Sequence, residues 1–149
     1  MTVRTTRLLT ANETQARQLF ALMAHLFDEA SGELSDAYVQ RLLAREDFWA
    51  LAAFSGDELV GGLTAHTLPM TRTESREVFV YDIAVRADHQ RRGIGRRLMN
   101  DLRAQAAALG IHELFVAADD EDVHALDFYR ALGAVGAPVT MFSFSRPPD

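Results

Sequence analysis

The chain contains no cysteine, no lysine, one tryptophan and four prolines. The missing cysteine excludes disulfides, thiolate metal sites and a thiol nucleophile, so any chemistry must come from other groups. Long apolar runs are missing too. No stretch approaches the roughly 20 residues that a membrane-spanning helix needs, and "MTVRTTRLLTANET" lacks the apolar core of a secretory signal. These absences predict a cytoplasmic chain with no membrane partner, in which the sequon-like Asn12-Glu13-Thr14 occurs by chance. Net positive charge is also absent. At −6 the chain is expected to have no nucleic-acid partner, because phosphate contacts require a basic face.

What remains, 149 residues of which 48% are apolar and 24% charged, is enough for one globular domain over residues 1–149 with a real core. Its charge is unevenly spread. Arg86, Arg91, Arg92, Arg96, Arg97 and Arg103 crowd one stretch, and Asp119, Asp120, Glu121 and Asp122 form an acidic run soon after. Either cluster alone reads as solvated surface.

"VRTTRLL" reads as a first strand, and Thr10 to Glu13 has capping-box spacing for a helix running to about Glu29, with Leu19, Leu22, Met23 and Leu26 as its stripe. Ser35 or Asp36 caps a second, shorter helix with Tyr38, Leu42 and Leu43. "FWALAAFSGDELVGGLTAHTL" predicts a hairpin around Ser55-Gly56-Asp57, with a bulge or close backbone approach at Gly61 and Gly62. In "EVFVYDIAV", strict alternation places Phe79, Tyr81, Ile83 and Val85 on one face and Val78, Val80, Asp82 and Ala84 on the other. Both sets are largely apolar, which marks a central strand. A helix follows to about Leu109 with Gly110 as its stop, then a strand in "HELFVAAD", a helix from about Asp122 to Leu132 with Gly133 as its stop, and a last strand in "APVTMFSFS". The order βααβββαβαβ is that of a mixed α/β domain.

The turn Gly93-Ile94-Gly95 lies between a strand and a helix start, where unpaired N–H groups and the helix dipole favour an anion. Glycines let the backbone approach a phosphate, and Arg91, Arg92, Arg96 and Arg97 add charge around it. Structural glycines with surface arginines remain the plainer explanation. The Rossmann fingerprint fails for want of its third glycine, and a P-loop fails because there is no lysine to follow the turn.

Gln90-Arg91-Arg92-Gly93-Ile94-Gly95 resembles the acyl-CoA motif Q/R-x-x-G-x-G/A of the GNAT family of N-acetyltransferases. "YDIAV" before it and "ALDFYRALGA" after it fall where that family has its central strand and second motif, so the resemblance covers nearly the whole chain. "FWALAAF", "VFVYDIAV" and "AAD" resemble most the gentamicin-type aminoglycoside 3-N-acetyltransferases. The resemblance implies the GNAT fold, a mostly antiparallel mixed sheet with a splayed pair of central strands and flanking helices. It implies acetyl-CoA as cosubstrate and no covalent enzyme intermediate. Gln90, Arg91, Arg92, Gly93, Ile94, Gly95 and Arg96 would hold the pyrophosphate. Ile83, Ala84 and Val85 would offer backbone groups to the pantetheine arm, as in pairing at a strand edge, and an N–H near Ile83 would polarise the thioester carbonyl. Asp122 stands where many members carry Asn and is assigned to the cofactor on position alone.

Direct attack by an amine requires a base for the ammonium and benefits from an acid for the departing thiolate. Tyr129 matches the family's general acid, with a phenol pKa of about 10 suited to a thiolate; a packed helix tyrosine beside Leu126 and Leu132 is the alternative. Asp82 is the chosen base, because a carboxylate on an apolar strand face is costly unless paired or used. A purely structural Asp82 is the competing reading, and Glu29 and Asp119 are alternative bases. Asp119, Asp120 and Glu121, with Glu29 and Tyr81, form the expected acceptor wall for a polycationic amine: an aminoglycoside, or else a polyamine or basic peptide. A member acetylating another amine, such as a polyamine, a small metabolite or a protein N-terminus, is the second enzyme reading, and a non-catalytic acyl-CoA-binding module is the reading from another class. The five histidines show no metal-ligand spacing, so no metal is expected, and His25 and His124 are read as surface residues near the acceptor. Members of the family often dimerise, and "TMFSF" would serve as an interface strand in a homodimer or as an ordinary strand in a monomer.

Overall fold

The alternating and wholly apolar runs form a five-stranded sheet in a computed structural model, which describes residues 2–28 and 33–147. The chain divides into two compact units, Met1–Ala117 and Ala118–Asp149. In the first unit β1 (Val3–Arg7), β2 (Phe48–Ser55), β3 (Glu58–Pro69), β4 (Arg76–Val85) and β5 (Glu113–Val116) stand in sequence order. Neighbours are antiparallel except β5, which runs parallel to β4. A parallel neighbour needs a crossover, and the helix α3 (Ile94–Ala108) supplies it.

Helices cover both faces, which is why every residue of β2 is buried. On one face α1 (Glu13–Leu26) and α2 (Asp36–Ala44) set Ala16, Leu19, Met23, Val39 and Leu43 against Phe48, Ala50, Ala52, Phe54 and Ala84. On the other, α3 buries Ile94, Leu98, Met99, Leu102 and Ala106. Each large side chain brought wholly inside, such as Leu19, Leu63, Leu98 or Leu102, contributes about 1.5–3 kcal/mol. Trp49 is buried whole because its indole N–H has a partner, Thr67 Oγ1 at 2.8 Å.

Several boundaries differ from the sequence reading. The expected box at Thr10 and Glu13 is displaced by one residue, with Leu9 N–H donating to Asn12 Oδ1 at 2.9 Å and a short 3-10 turn preceding α1. That helix ends at Leu26, short of the expected end, and Glu29 lies outside the described residues. For α2 the cap is Ser35, whose Oγ accepts from Tyr38 N–H at 3.1 Å. Gly61 and Gly62 fulfil both expectations. Val60 is the extra residue between the pairs Ala53 with Gly61 and Phe54 with Leu59. A Cβ at Gly61 would meet Ala84 O at 2.8 Å, and one at Gly62 would meet Leu19 Cδ1 at 2.4 Å and Leu51 O at 2.6 Å.

The second unit holds α4 (Val123–Ala131), stopped as expected by Gly133 at φ 92°. The strand expected in "APVTMFSFS" does not form. Residues 134–147 take no regular structure, and Val139, Met141, Phe142 and Phe144 are exposed. Alternation favours a strand only where a neighbouring strand and a covered face receive it.

Candidate active site

The centre of the site is an irregularity in β4. Thr64 pairs with Asp82 and Ala65 with Val80, so Tyr81 is an extra residue opposed by nothing on β3. A bulge shifts the alternation by one. His66 lies two residues from Thr64 on an unbroken strand, so the two share a face, and the Tyr81 ring sits 5.9 Å from the His66 ring. Tyr81 and Asp82 therefore point to the same side, with Phe79 and Ala84, while Ile83 and Val85 join Val78 and Val80. Strict alternation had put Tyr81 and Asp82 on opposite faces, and the bulge corrects it. Asp82 is half-buried there and Tyr81 is exposed.

On its other side β4 pairs with β5 only from Glu77 to Val80. Past Val80 the two strands part, which is the splayed pair implied by the resemblance. The backbone of Ile83, Ala84 and Val85 thus lies where β4 has a neighbour in β3 and no ladder to β5. Such an edge accepts an extended ligand through main-chain hydrogen bonds.

The chain then leaves β4 through the turn expected to receive an anion. Arg86 N–H donates to Val60 O at 2.8 Å, and the Arg86 guanidinium pairs with Glu58 and with Asp88 at 3.0 Å, anchoring the turn's first half. The Asp88 carboxyl is held below the usual carboxylate range, chiefly by its hydrogen bond with His89 and also by Arg86. Gln90, expected at the pyrophosphate, donates from Nε2 to Val85 O at 3.0 Å and ties the turn back to the strand. Arg91 adopts φ 64° and Gly93 φ 80°, both left-handed. For arginine that conformation costs on the order of 1–2 kcal/mol, so the fold imposes it.

Gly93 caps α3, and Ile94, buried to 3% exposure, roots the helix start in the core. The N–H groups at this start have no intrahelical acceptor. Among the described residues Arg91, Arg92 and Arg96 are exposed and make no ion pair, leaving their charge available to a ligand. Arg97 is spent on the structure, donating to Val3 O and approaching Asp101 at 3.7 Å.

In the second unit the acidic run is exposed, and part of it is structural. Asp119 Oδ1 accepts from Glu121 N–H at 2.9 Å, and Asp122 Oδ1 accepts from Ala125 N–H at 3.1 Å as the cap of α4. Asp122 thereby has a local duty that explains a carboxylate at that position. Tyr129 is half-buried on α4, its ring 5.1 Å from that of Phe128. His25 and His124 are exposed, as expected. The described residues contain no group of three or more side chains arranged to hold a metal, and no helix among them is long and apolar enough to cross a membrane.

Sequence reasoning missed His66, Phe79 and Phe115. The rings of His66 and Phe79 meet that of Tyr81 and the ring of Phe115 stacks on Phe79, and only a pairing register could have joined residues so far apart in the chain.

Residues 10–134 match the model of the acetyltransferase (GNAT) family. The chain is similar to an aminoglycoside acetyltransferase from an uncultured soil metagenomic sample, with 33% identity over 99% of this chain and 100% of that one and a TM-score of 0.93. It is also similar to an aminoglycoside acetyltransferase from an uncultured soil metagenomic sample in complex with sisomicin, with 28% identity over 97% of each chain and a TM-score of 0.93. An uncharacterized N-acetyltransferase of Bacillus subtilis shares 28% identity over 72% of this chain, which spans 63% of the length of that curated relative.

Proposed function

The chain belongs to the GNAT acetyltransferase family, and from that premise we propose that it acetylates an aminoglycoside, on its 3-amino group, with acetyl-CoA as donor. The observation that carries the reading is the match along nearly the full chain to aminoglycoside acetyltransferases, one of them in complex with sisomicin. The residues fit the donor. Gly93 places no atom within 4 Å of where a Cβ would stand, so the turn has room for a pyrophosphate. Arg91, Arg92 and Arg96, with the N–H groups that open α3, supply positive charge for it. The β4 backbone from Ile83 to Val85 would hold the pantetheine arm.

Acetyl-CoA supplies the activated thioester carbonyl. The rest is proton management by the chain. The ammonium would lose one proton to a carboxylate, assigned to Asp82 with Glu29 and Asp119 as alternatives; a C–N bond would then form as the C–S bond breaks, the thiolate would take a proton from the Tyr129 hydroxyl, and the second proton shed by the nitrogen would restore that hydroxyl through solvent. The exposed Asp120 and Glu121 would attract the acceptor's several ammonium groups, together with Tyr81. Acetylation removes one of those charges, and antibiotic resistance in the host is the proposed consequence.

The test is release of CoA thiol from acetyl-CoA by purified protein against gentamicin, kanamycin, apramycin, spermidine and a basic peptide. Turnover confined to the aminoglycosides is expected, with product mass spectrometry placing the acetyl group on the 3-amine. Turnover of spermidine or peptide alone would overturn the acceptor assignment, and binding of acetyl-CoA without any turnover would favour a binding module.

A further inference from the structure

A row of rings crosses the sheet on the face that carries Asp82. Phe115 of β5 stacks on Phe79 of β4, centroids 5.0 Å apart at 21°. Phe79 meets Tyr81 edge-on at 6.0 Å, Tyr81 meets His66 of β3 at 5.9 Å, and His66 meets Phe48 of β2 at 5.4 Å. The row begins inside the core and ends in water: Phe48 is 5% exposed, Tyr81 62% and Phe115 43%. Its wet end is placed by the bulge, since an unbroken β4 would turn Tyr81 and Asp82 to opposite faces.

The chain uses its other aromatic faces differently. Arg7 lies 3.9 Å over Trp49 and Arg4 lies 4.5 Å over Phe54. Among the described residues no guanidinium lies over Phe79, Tyr81 or Phe115. Their π faces are negative at the ring centre, in a protein that has matched such faces with a cation elsewhere.

We infer that Tyr81, Phe79 and Phe115 form a ledge that receives an ammonium-bearing ring of the acceptor, by cation–π attraction and by stacking of the ring's C–H face. His66 is the positioning residue, its ring in contact with both Tyr81 and buried Phe48. The inference deepens the proposed amine acetylation and rests on it for the identity of the acceptor. It explains why a sheet face keeps two large aromatic side chains in water beside the assigned base. An ammonium held over Tyr81 would bring a neighbouring amine of the same acceptor toward Asp82, so the ledge selects acceptors with more than one amine.

Two measurements test it on the full chain. In the first, tetramethylammonium chloride is titrated against the protein and its methyl proton resonance followed, with sodium chloride as control. Upfield shift and broadening are expected with the wild type and with Tyr81→Phe, and loss of both with Tyr81→Leu and with Phe115→Leu. In the second, the acceptor KM of Tyr81→Leu and Phe115→Leu is expected to rise about tenfold, with the acetyl-CoA KM held within about twofold. Both positions are well exposed, and circular dichroism checks that the variants fold. A methyl resonance unmoved by the wild type, or an acceptor KM unchanged in both leucine variants, would overturn the ledge. Aromatic signals that shift with protein concentration and not with the cation would assign the rings to a contact between copies and overturn it too. A cation-dependent shift in a protein that turns over no aminoglycoside would support the ledge while sinking the aminoglycoside reading.

Discussion

Gly93 shows how a single residue separates backbone conformation from space. At φ 80° an alanine is strained, yet its methyl group would touch nothing within 4 Å. Gly93→Ala is therefore expected to lose about 1–2 kcal/mol of stability in urea unfolding, and to raise the KM for acetyl-CoA while leaving the amine KM alone, because the strain sits in the pyrophosphate turn. Tyr129 offers the complementary case. Tyr129→Phe keeps the ring against Phe128 and removes only the hydroxyl. A fall in kcat of about a hundredfold is expected, and wild-type turnover would transfer the acid role to another group. The glycine's conformation was readable in the sequence because glycine tolerates it; the matching left-handed Arg91 was not, since no residue type announces an imposed strain.

Helices, strands and their stops were mostly readable as elements. Gly110 and Gly133 end helices where the sequence placed them, and the β2–β3 hairpin turns at Gly56, φ 62°. Pairing was not readable, and the site depends on it. The extra residue Tyr81 leaves the composition of β4 unaltered, so strict alternation misplaced Asp82 and every side chain after it. The same limit hid Phe115, whose place beside Phe79 follows from a parallel register set by α3. Where elements touch, Gly62 gives the sharpest prediction. A methyl group there would press on Leu19 and on the fixed carbonyl of Leu51. Gly62→Ala is expected to cost about 1–3 kcal/mol in chemical denaturation, and an unchanged midpoint would mean that α1 can lift from the sheet without penalty.

At the scale of the whole molecule, the C-terminal segment keeps Val139 80% exposed, Met141 73%, Phe142 81% and Phe144 102%. We propose that these exposed apolar side chains meet a second copy of the chain. Self-association into a homodimer is expected by sedimentation velocity, with Phe142→Ser combined with Phe144→Ser shifting the chain to monomer; a wild-type chain monomeric at about 100 μM would remove this role from the segment. β5 has a further consequence. Its ladder to β4 spans residues Glu113–Val116, whereas β3 is paired on both sides from Gly61 to His66. Opening frees few bonds at β5 and many at β3, so amides of Leu114 and Val116 are expected to exchange with deuterium far faster than those of Leu63 and Ala65. Phe115 travels with the strand that opens and Phe79 with the strand that does not. One jaw of the proposed ledge would thus be fixed and the other sprung, and the fewer the hydrogen bonds that hold the sprung one, the wider the range of amines the ledge would be expected to grip.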